Sequence, residues 1–148
     1  MQVGIRGIIQ YRNWHAQQPP HVDKATALFT CVLYLAKEGN PIDSGTTLLR
    51  SKNESQLISA YRRAKSIRAW FPDPRDFGIV KVKTVSYQQN RAVVMVVLPT
   101  SLHGVVHVSD FDRYSMQSFC ELPYQIIKDR FAGWNDPLSP TGIFRGDI

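Results

Sequence analysis

The sequence predicts a single α+β domain, an antiparallel sheet of about four strands packed against about three helices in the order β-α-α-β-β-β-α. Three observations predict it. Two long stretches repeat their apolar residues at helical spacing, β-rich runs follow one another between 78 and 109, and no linker or internal repeat divides the 148 residues. We expect residues 1–132 to form the domain and residues 133–148 to form an irregular C-terminal tail.

A strand and a helix are predicted for the first forty residues. Residues 2–12 alternate loosely between apolar and polar side chains and predict a strand. Asp23 is placed to cap a helix over residues 24–37, which Gly39 ends. Because T-A-L-F-T-C-V-L-Y-L-A is apolar on nearly every side, we expect this helix at the centre of the core.

The segment 50–71 has the clearest amphipathic pattern in the chain. Ser51 and Glu54 have the spacing of a capping box, and apolar residues then recur every three or four positions. Pro72 and Pro74 cannot continue a helix. We therefore expect a helix with an apolar side toward the core and a basic side toward solvent.

Three strands and a helix are predicted for the rest of the domain. Residues 78–87 and 91–99 are β-rich runs separated by Q-Q-N, which predicts a hairpin. Residues 102–109 predict a third strand. Residues 111–131 predict one long helix, or two helices broken at Pro123.

The positive charge is concentrated in one window. The chain carries 18 Lys and Arg against 12 Asp and Glu, a formal charge of +6. Residues 50–91 hold ten of the basic residues and three of the acidic ones, a local charge of +7. A segment this basic attracts polyanions, because neutralising phosphates releases condensed counterions.

From this charge we predict a small non-enzymatic protein that binds RNA or DNA mainly through phosphate contacts. The basic helix and the basic hairpin would supply the cations, and Trp70, near the basic side of the helix, would stack on bases. A solvated basic face that keeps the protein soluble is the alternative interpretation. The predicted contacts are Arg50, Lys52, Arg62, Arg63, Lys65, Arg68, Trp70, Lys81, Lys83 and Arg91.

A second hypothesis is a structural or assembly protein resembling a viral matrix subunit. Its basic face would meet anionic lipid at a membrane surface. Its apolar strands or its tail would meet neighbouring copies, which makes a homo-oligomer possible. This hypothesis uses the same cations but needs no nucleic acid.

The stretch from Leu102 to Asp112, L-H-G-V-V-H-V-S-D-F-D, holds two of the four histidines. On a strand, His103 and His107 stand about 13 Å apart at ~3.3 Å per residue, too far to share one zinc ion. Ser109 and the aspartates after it are placed to cap the following helix. We therefore predict no metal site and no cofactor.

His107 and Ser109 nevertheless share one strand face, as H-V-S. This pattern is similar to half of the signature of the two-histidine phosphoesterases, in which two H-x-S/T motifs face each other and act as acid and base on a phosphodiester. The resemblance implies a third hypothesis, a small phosphodiesterase or nuclease that uses His107 with His21 or His103 as its partner. The second motif is missing, since His21 reads H-V-D.

The remaining patterns restrict the location and the chemistry. Cys31 and Cys120 lie far apart among apolar neighbours and predict buried thiols in a reducing compartment. No secretory signal and no run of roughly 18 apolar residues is present, so we expect a cytoplasmic or nuclear protein. Motifs for dinucleotide binding, phosphate-binding loops, zinc proteases and serine hydrolases are absent.

Overall fold

Strands dominate the part of the chain that the computed structural model describes, namely residues 4–12, 17–24, 26–64, 69–105 and 111–121. The two helices of this part are α1 (Glu54–Ala64) and α2 (Pro74–Phe77). Its strands are β1 (Gly4–Arg12), β2 (Gln18–His21), β3 (Ala27–Tyr34), β4 (Thr47–Ser51), β5 (Ile79–Thr84), β6 (Ala92–Val96), β7 (His103–Val105) and β8 (Arg113–Glu121).

These eight strands form two antiparallel sheets of four. The first sheet has the order β1-β8-β3-β6, and the second has the order β2-β7-β4-β5. The chain passes from one sheet to the other at nearly every connection, and β4 and β5 are the consecutive strands that pair directly. This order is that of a jelly roll, in which two Greek keys place two four-stranded sheets opposite each other.

The predicted α+β fold, with one sheet packed against three helices, is wrong. Residues 24–37 contain β3, which is hydrogen-bonded to β6 on one side and β8 on the other. Residues 111–131 contain β8, which lies between β1 and β3. Pairing on both sides satisfies the backbone of these segments, and it overrides the helical spacing of their apolar residues.

Other predicted elements lie where the sequence places them, but one connection is wrong. β1 coincides with the predicted first strand, and α1 lies within the predicted basic helix. The hairpin predicted from 78–87 and 91–99 does not form, because β5 pairs with β4 while β6 pairs with β3 in the other sheet. None of the helices described is long and apolar enough to span a membrane.

Two apolar clusters hold the described residues together. The first cluster packs the helices against the second sheet, and the second cluster lies where residues after β5 meet β3 and β6. The first is built on Val22, Leu49, Leu57, Tyr61, Phe77 and Leu102. The second is built on Val32, Tyr34, Ala36, Tyr87 and Val93.

The inner side of the first sheet is partly polar. Along β8 the buried residues are Arg113, Ser115 and Gln117, and on the neighbouring strand β3 Thr30 is fully buried. Burying polar groups costs free energy unless they find partners. A polar interior between two sheets therefore indicates a binding site in addition to a core.

Candidate metal centre

Strands β2 and β7 bring two histidines together. The strands are antiparallel, and His21 is directly opposite His103 in their register. Directly opposite residues project from the same side of a sheet, with their Cβ atoms roughly 5 Å apart. The two imidazole rings accordingly lie 4.2 Å apart between centroids.

Asp23 adds a carboxylate to this pair. It follows His21 by two residues, the spacing at which side chains of an extended chain point the same way. Its carboxylate oxygens lie 3.8 Å from Nε2 of His21 and 3.5 Å from Nε2 of His103. One ligand atom from each of the three side chains lies within 4.8 Å of the other two. Two imidazole nitrogens and one carboxylate oxygen can bind a single divalent metal ion in this arrangement.

Backbone carbonyl groups orient both imidazoles. Nδ1 of His21 lies 3.0 Å from the carbonyl oxygen of Pro19, and Nδ1 of His103 lies 3.0 Å from that of Ser101. Because a carbonyl oxygen only accepts, each Nδ1 donates a proton to it, and in the neutral imidazole Nε2 is then the nitrogen with the lone pair. Histidine ligands of metal ions are held in this way, with the second ring nitrogen bonded to a carbonyl or carboxylate.

The carboxylate of Asp23 is held from the opposite sheet. Oγ1 of Thr30, on β3, donates to it over 2.6 Å, and both residues are buried. The next residue, Lys24, forms an ion pair with Glu121 on β8 and lies over the ring of Phe119 at 5.0 Å. The connection between β2 and β3 is thereby attached to the first sheet through two consecutive residues, Asp23 and Lys24.

Strands β2 and β7 can lie as close together as they do because residue 104 is a glycine. A Cβ atom at this position would lie 2.7 Å from the carbonyl oxygen of Gln18 and 3.1 Å from that of Pro19. Real Cβ atoms essentially never come within 3.0 Å of another heavy atom. Glycine next to His103 therefore allows β2 and β7 to lie close enough for the histidines to meet.

The cluster lies directly beneath the surface. The histidines are 1% and 5% exposed and Asp23 is 5% exposed, but the ring of Phe71, which stacks on His21 at 5.2 Å, is 54% exposed. Two backbone hydrogen bonds of 2.9 Å between Val22 and Trp70 fix this segment beside the cluster. The amide Nε2 of Gln18 lies 3.0 Å from Nε2 of His21, the nitrogen that a metal ion would take.

A buried arginine lies at the other end of the polar interior. The guanidinium of Arg113 lies 5.4 Å from the ring of Tyr34 and 5.5 Å from the ring of Tyr87. Burial raises the pKa of Tyr87, although the charge of Arg113 opposes this. Thr30, beside Asp23, and Tyr34, beside Arg113, are four residues apart on β3, about 13 Å at ~3.3 Å per residue.

The cations predicted from the sequence lie on several surfaces. Arg50 is exposed on β4 and Lys52 is exposed in the turn after it, whereas Arg91 is exposed in the segment before β6, in the other sheet. Lys81 and Lys83 are exposed on β5. The structure does not bring these five residues together into one basic helix and hairpin.

The remaining predicted residues are divided between the helix region and undescribed parts of the chain. Arg63 is exposed at the end of α1 and donates to Oγ of Ser59. The ring of Trp70 packs edge-on against Tyr61 and Phe77, at 5.5 and 5.8 Å, so it belongs to the first apolar cluster. Outside the described residues lie Lys65, Arg68, His107, Ser109, the side chain of Arg62 and the tail 133–148.

No protein-family model matches this chain, and no curated protein matches it. Among solved structures it is similar to a prolyl-4-hydroxylase from Pseudomonas putida, with 15% identity and a TM-score of 0.45 over 80% of this chain and 52% of that one. It is also similar to a prolyl 4-hydroxylase from Phytophthora capsici, with 19% identity and a TM-score of 0.44 over 88% of this chain and 41% of that one. The chain thus spans about half the length of these enzymes or less.

The strand pairing corrects the prediction of a nucleic-acid-binding protein. That prediction depended on a basic helix joined to a basic hairpin, and the two strands of that hairpin lie in different sheets. The matrix-like and phosphodiesterase alternatives likewise gain no support.

Sequence reasoning missed the carboxylate of the cluster. It interpreted Asp23 as a helix cap, although the chain continues into β3 and not into a helix. It considered His21 and His103 only as partners for His107. The signal that was available is H-V-D itself, since a spacing of two on an extended segment places His21 and Asp23 on one side.

Proposed function

We propose that this protein is a non-haem Fe(II)-dependent oxygenase whose iron is held by His21, Asp23 and His103. The observation that carries the proposal is the buried cluster of two imidazoles and one carboxylate within 4.8 Å of one another. This ligand set is typical of non-haem Fe(II) oxygenases, in which three protein ligands leave the remaining positions open. When bound, Fe(II) supplies the capacity to activate O2.

The surrounding residues fit this ligand set. The carbonyl groups of Pro19 and Ser101 each accept the Nδ1 proton in a hydrogen bond, so Nε2 is the nitrogen that each neutral imidazole can offer to a metal ion. Thr30 fixes the carboxylate of Asp23, whose negative charge favours a cation among neutral imidazoles. Burial of all three ligands excludes bulk water from the protein side of the site.

The position of Arg113 favours an organic acid as co-substrate. A guanidinium pairs with a carboxylate through two parallel hydrogen bonds, and burial strengthens such a pair. Arg113 and the cluster of His21, Asp23 and His103 lie at two ends of the same interior, so one molecule that carries a carboxylate at each end is the kind of ligand that we expect to contact both. A 2-oxo acid such as 2-oxoglutarate also meets the electron requirement. Its loss of CO2 gives succinate, takes up one oxygen atom and leaves the other for hydroxylation of a C–H bond.

Anaerobic titration with 2-oxoglutarate tests this function. Fe(II)-loaded protein should develop a visible absorption band as the 2-oxo acid chelates the iron, and His103→Ala should develop none. Arg113→Met should still bind iron but require at least tenfold more 2-oxoglutarate for half-saturation. Iron-loaded wild type that develops no band would contradict the assignment of a 2-oxo acid.

A further inference from the structure

The outer side of the first sheet is apolar across all four strands. The register aligns Ile5, Cys120, Phe29 and Val96 in one row across β1, β8, β3 and β6. Two rows further along, Ile9 of β1 is directly opposite Met116 of β8. The inner side of the same strands buries polar residues beside the second apolar cluster, so the more uniformly apolar side of this sheet is the outer one.

This outer face is open to solvent among the described residues. Ile5 is 82% exposed, Ile9 is 73% exposed and Val94 of β6 is 66% exposed. Four strands about 4.8 Å apart and about eight residues long give a face of roughly 500 Å². Contiguous apolar patches of this size are at the upper end of what soluble monomers expose, and they mark a surface that another segment covers.

The size of the face favours a segment of the same chain over a second copy. A stable interface between two proteins buries about 800 Å² on each partner, because association costs translational and rotational freedom. A tethered segment does not pay most of that cost, since it is already present at a high effective concentration. A face of roughly 500 Å² is therefore sufficient for a segment attached to it.

Residues 122–148 are such a segment. They follow Glu121 directly, and Glu121 is the last residue of β8. Because β8 lies between β1 and β3, the segment is attached to the sheet at one end of the outer face. The sequence of this segment holds large apolar side chains that can cover an apolar face, among them Ile127, Phe131 and Trp134. We propose that residues 122–148 lie against the outer face of the first sheet and cover it with Ile127, Phe131 and Trp134.

The rate at which the two native cysteines react measures whether the outer face is covered. Cys31 and Cys120 are unpaired, half-buried and both point to the outer face. Their reaction with an aromatic disulfide reagent should be slow in the wild-type protein. It should accelerate at least tenfold in the double variant Phe131→Asp, Trp134→Asp. Asp129→Asn, between the apolar positions, is the matched control and should leave the rate unchanged.

Two outcomes would overturn the proposal. Thiols of the wild type that react as fast as those of the double variant would show an open face. Thiols that lose their protection on dilution, together with gel filtration at twice the chain mass, would show that a second copy covers it. Photo-cross-linking from a benzoylphenylalanine at position 131 is a second measurement. It introduces no charge, so it avoids the loss of folding that the aspartate variants could cause. It should cross-link within the chain to β1, β8, β3 or β6, and a cross-link elsewhere would also exclude the proposal.

Discussion

Thr30 determines how firmly the carboxylate of Asp23 is held. Replacing Thr30 by Val keeps the shape of the side chain but removes the hydroxyl that donates to Asp23. We expect Thr30→Val to lower the affinity for a divalent metal ion by roughly 10- to 100-fold, the usual effect of losing a hydrogen bond to a ligand. Calorimetric titration with Co(II) measures this. Thr30→Ser retains the hydroxyl and should bind as the wild type does, and equal affinity in the Val variant would contradict this role.

Tyr61 makes the stability of the protein sensitive to alkaline pH. Burial raises the pKa of Tyr61 to about 12, and the charge of Asp23 adds to the increase. In the unfolded chain its pKa is about 10. The stability that neutral Tyr61 contributes is therefore complete below pH 10 and is lost as the pH rises from 10 to 12.

Replacement of Tyr61 by Phe removes this titration. We compare the free energy of unfolding of Tyr61→Phe with that of the wild type. The difference, variant minus wild type, should be about 1 kcal/mol larger at pH 11 than at pH 7. Urea unfolding of both proteins at pH 7 and pH 11 measures the change. A difference between the two proteins that is the same at both pH values would show that Tyr61 ionises at its ordinary pKa.

At the scale of the strand pair, β2 and β7 can meet because one residue lacks a side chain. Gly104→Ala places a Cβ atom 2.7 Å from the backbone of Gln18, so β2 has to move away from β7. We expect this variant to lose at least tenfold in metal affinity, because His21 separates from His103. Gly7→Ala in β1 is the control, since its Cβ meets only Oγ of Ser118 at 3.6 Å. Unchanged metal binding in Gly104→Ala would contradict the strand geometry.

Helix α1 supports the candidate metal site because it packs into the first apolar cluster, which lies next to that site. Leu57 is fully buried in the same cluster as Val22, the residue between His21 and Asp23. Leu57→Ala should lower the free energy of unfolding by about 2–5 kcal/mol, and exposed Gln56→Ala by less than about 0.5 kcal/mol. Chemical unfolding of both variants decides this, and a similar loss in the two would contradict the packing of α1.

Sequence patterns identified some elements and misjudged others for a common reason. In β3 the inward residues, such as Tyr34, and the outward residues, such as Phe29, are both mostly apolar. The alternation of polar and apolar residues that usually indicates a strand is therefore missing. In β8 the alternation is present but reversed, with Arg113 and Gln117 inside. Short apolar segments of this kind fit a helix and a strand equally well until their pairing partners are known.

At the scale of the whole molecule, the candidate site depends on chain topology. The H-V-D spacing of His21 and Asp23 is local and can be predicted from the sequence. His103 is about eighty residues away in sequence, and only the pairing of β2 with β7 in the jelly roll places it opposite His21. Register between distant strands is not encoded in any local pattern, so the third ligand could not be predicted.

The charge distribution has a different meaning in the folded molecule than in the sequence. Cations that belong to one basic window of the sequence, such as Arg50 and Arg91 at its two ends, are attached to different sheets. The residues of the candidate site lie instead in the interior, where His103 is not counted in the formal charge and Arg113 lies outside the basic window. A count of charges along the chain therefore misses a site of this kind.

Anaerobic equilibrium dialysis against Fe(II) tests the metal centre most directly. Wild-type protein should bind one iron ion per chain. His21→Ala, Asp23→Ala and His103→Ala should each lose that iron while keeping the circular dichroism of a β protein. Asp76→Ala, which removes an exposed carboxylate on α2, should retain it. A wild-type protein without iron, or folded cluster variants that still bind one ion, would contradict the assignment of His21, Asp23 and His103 as a metal centre.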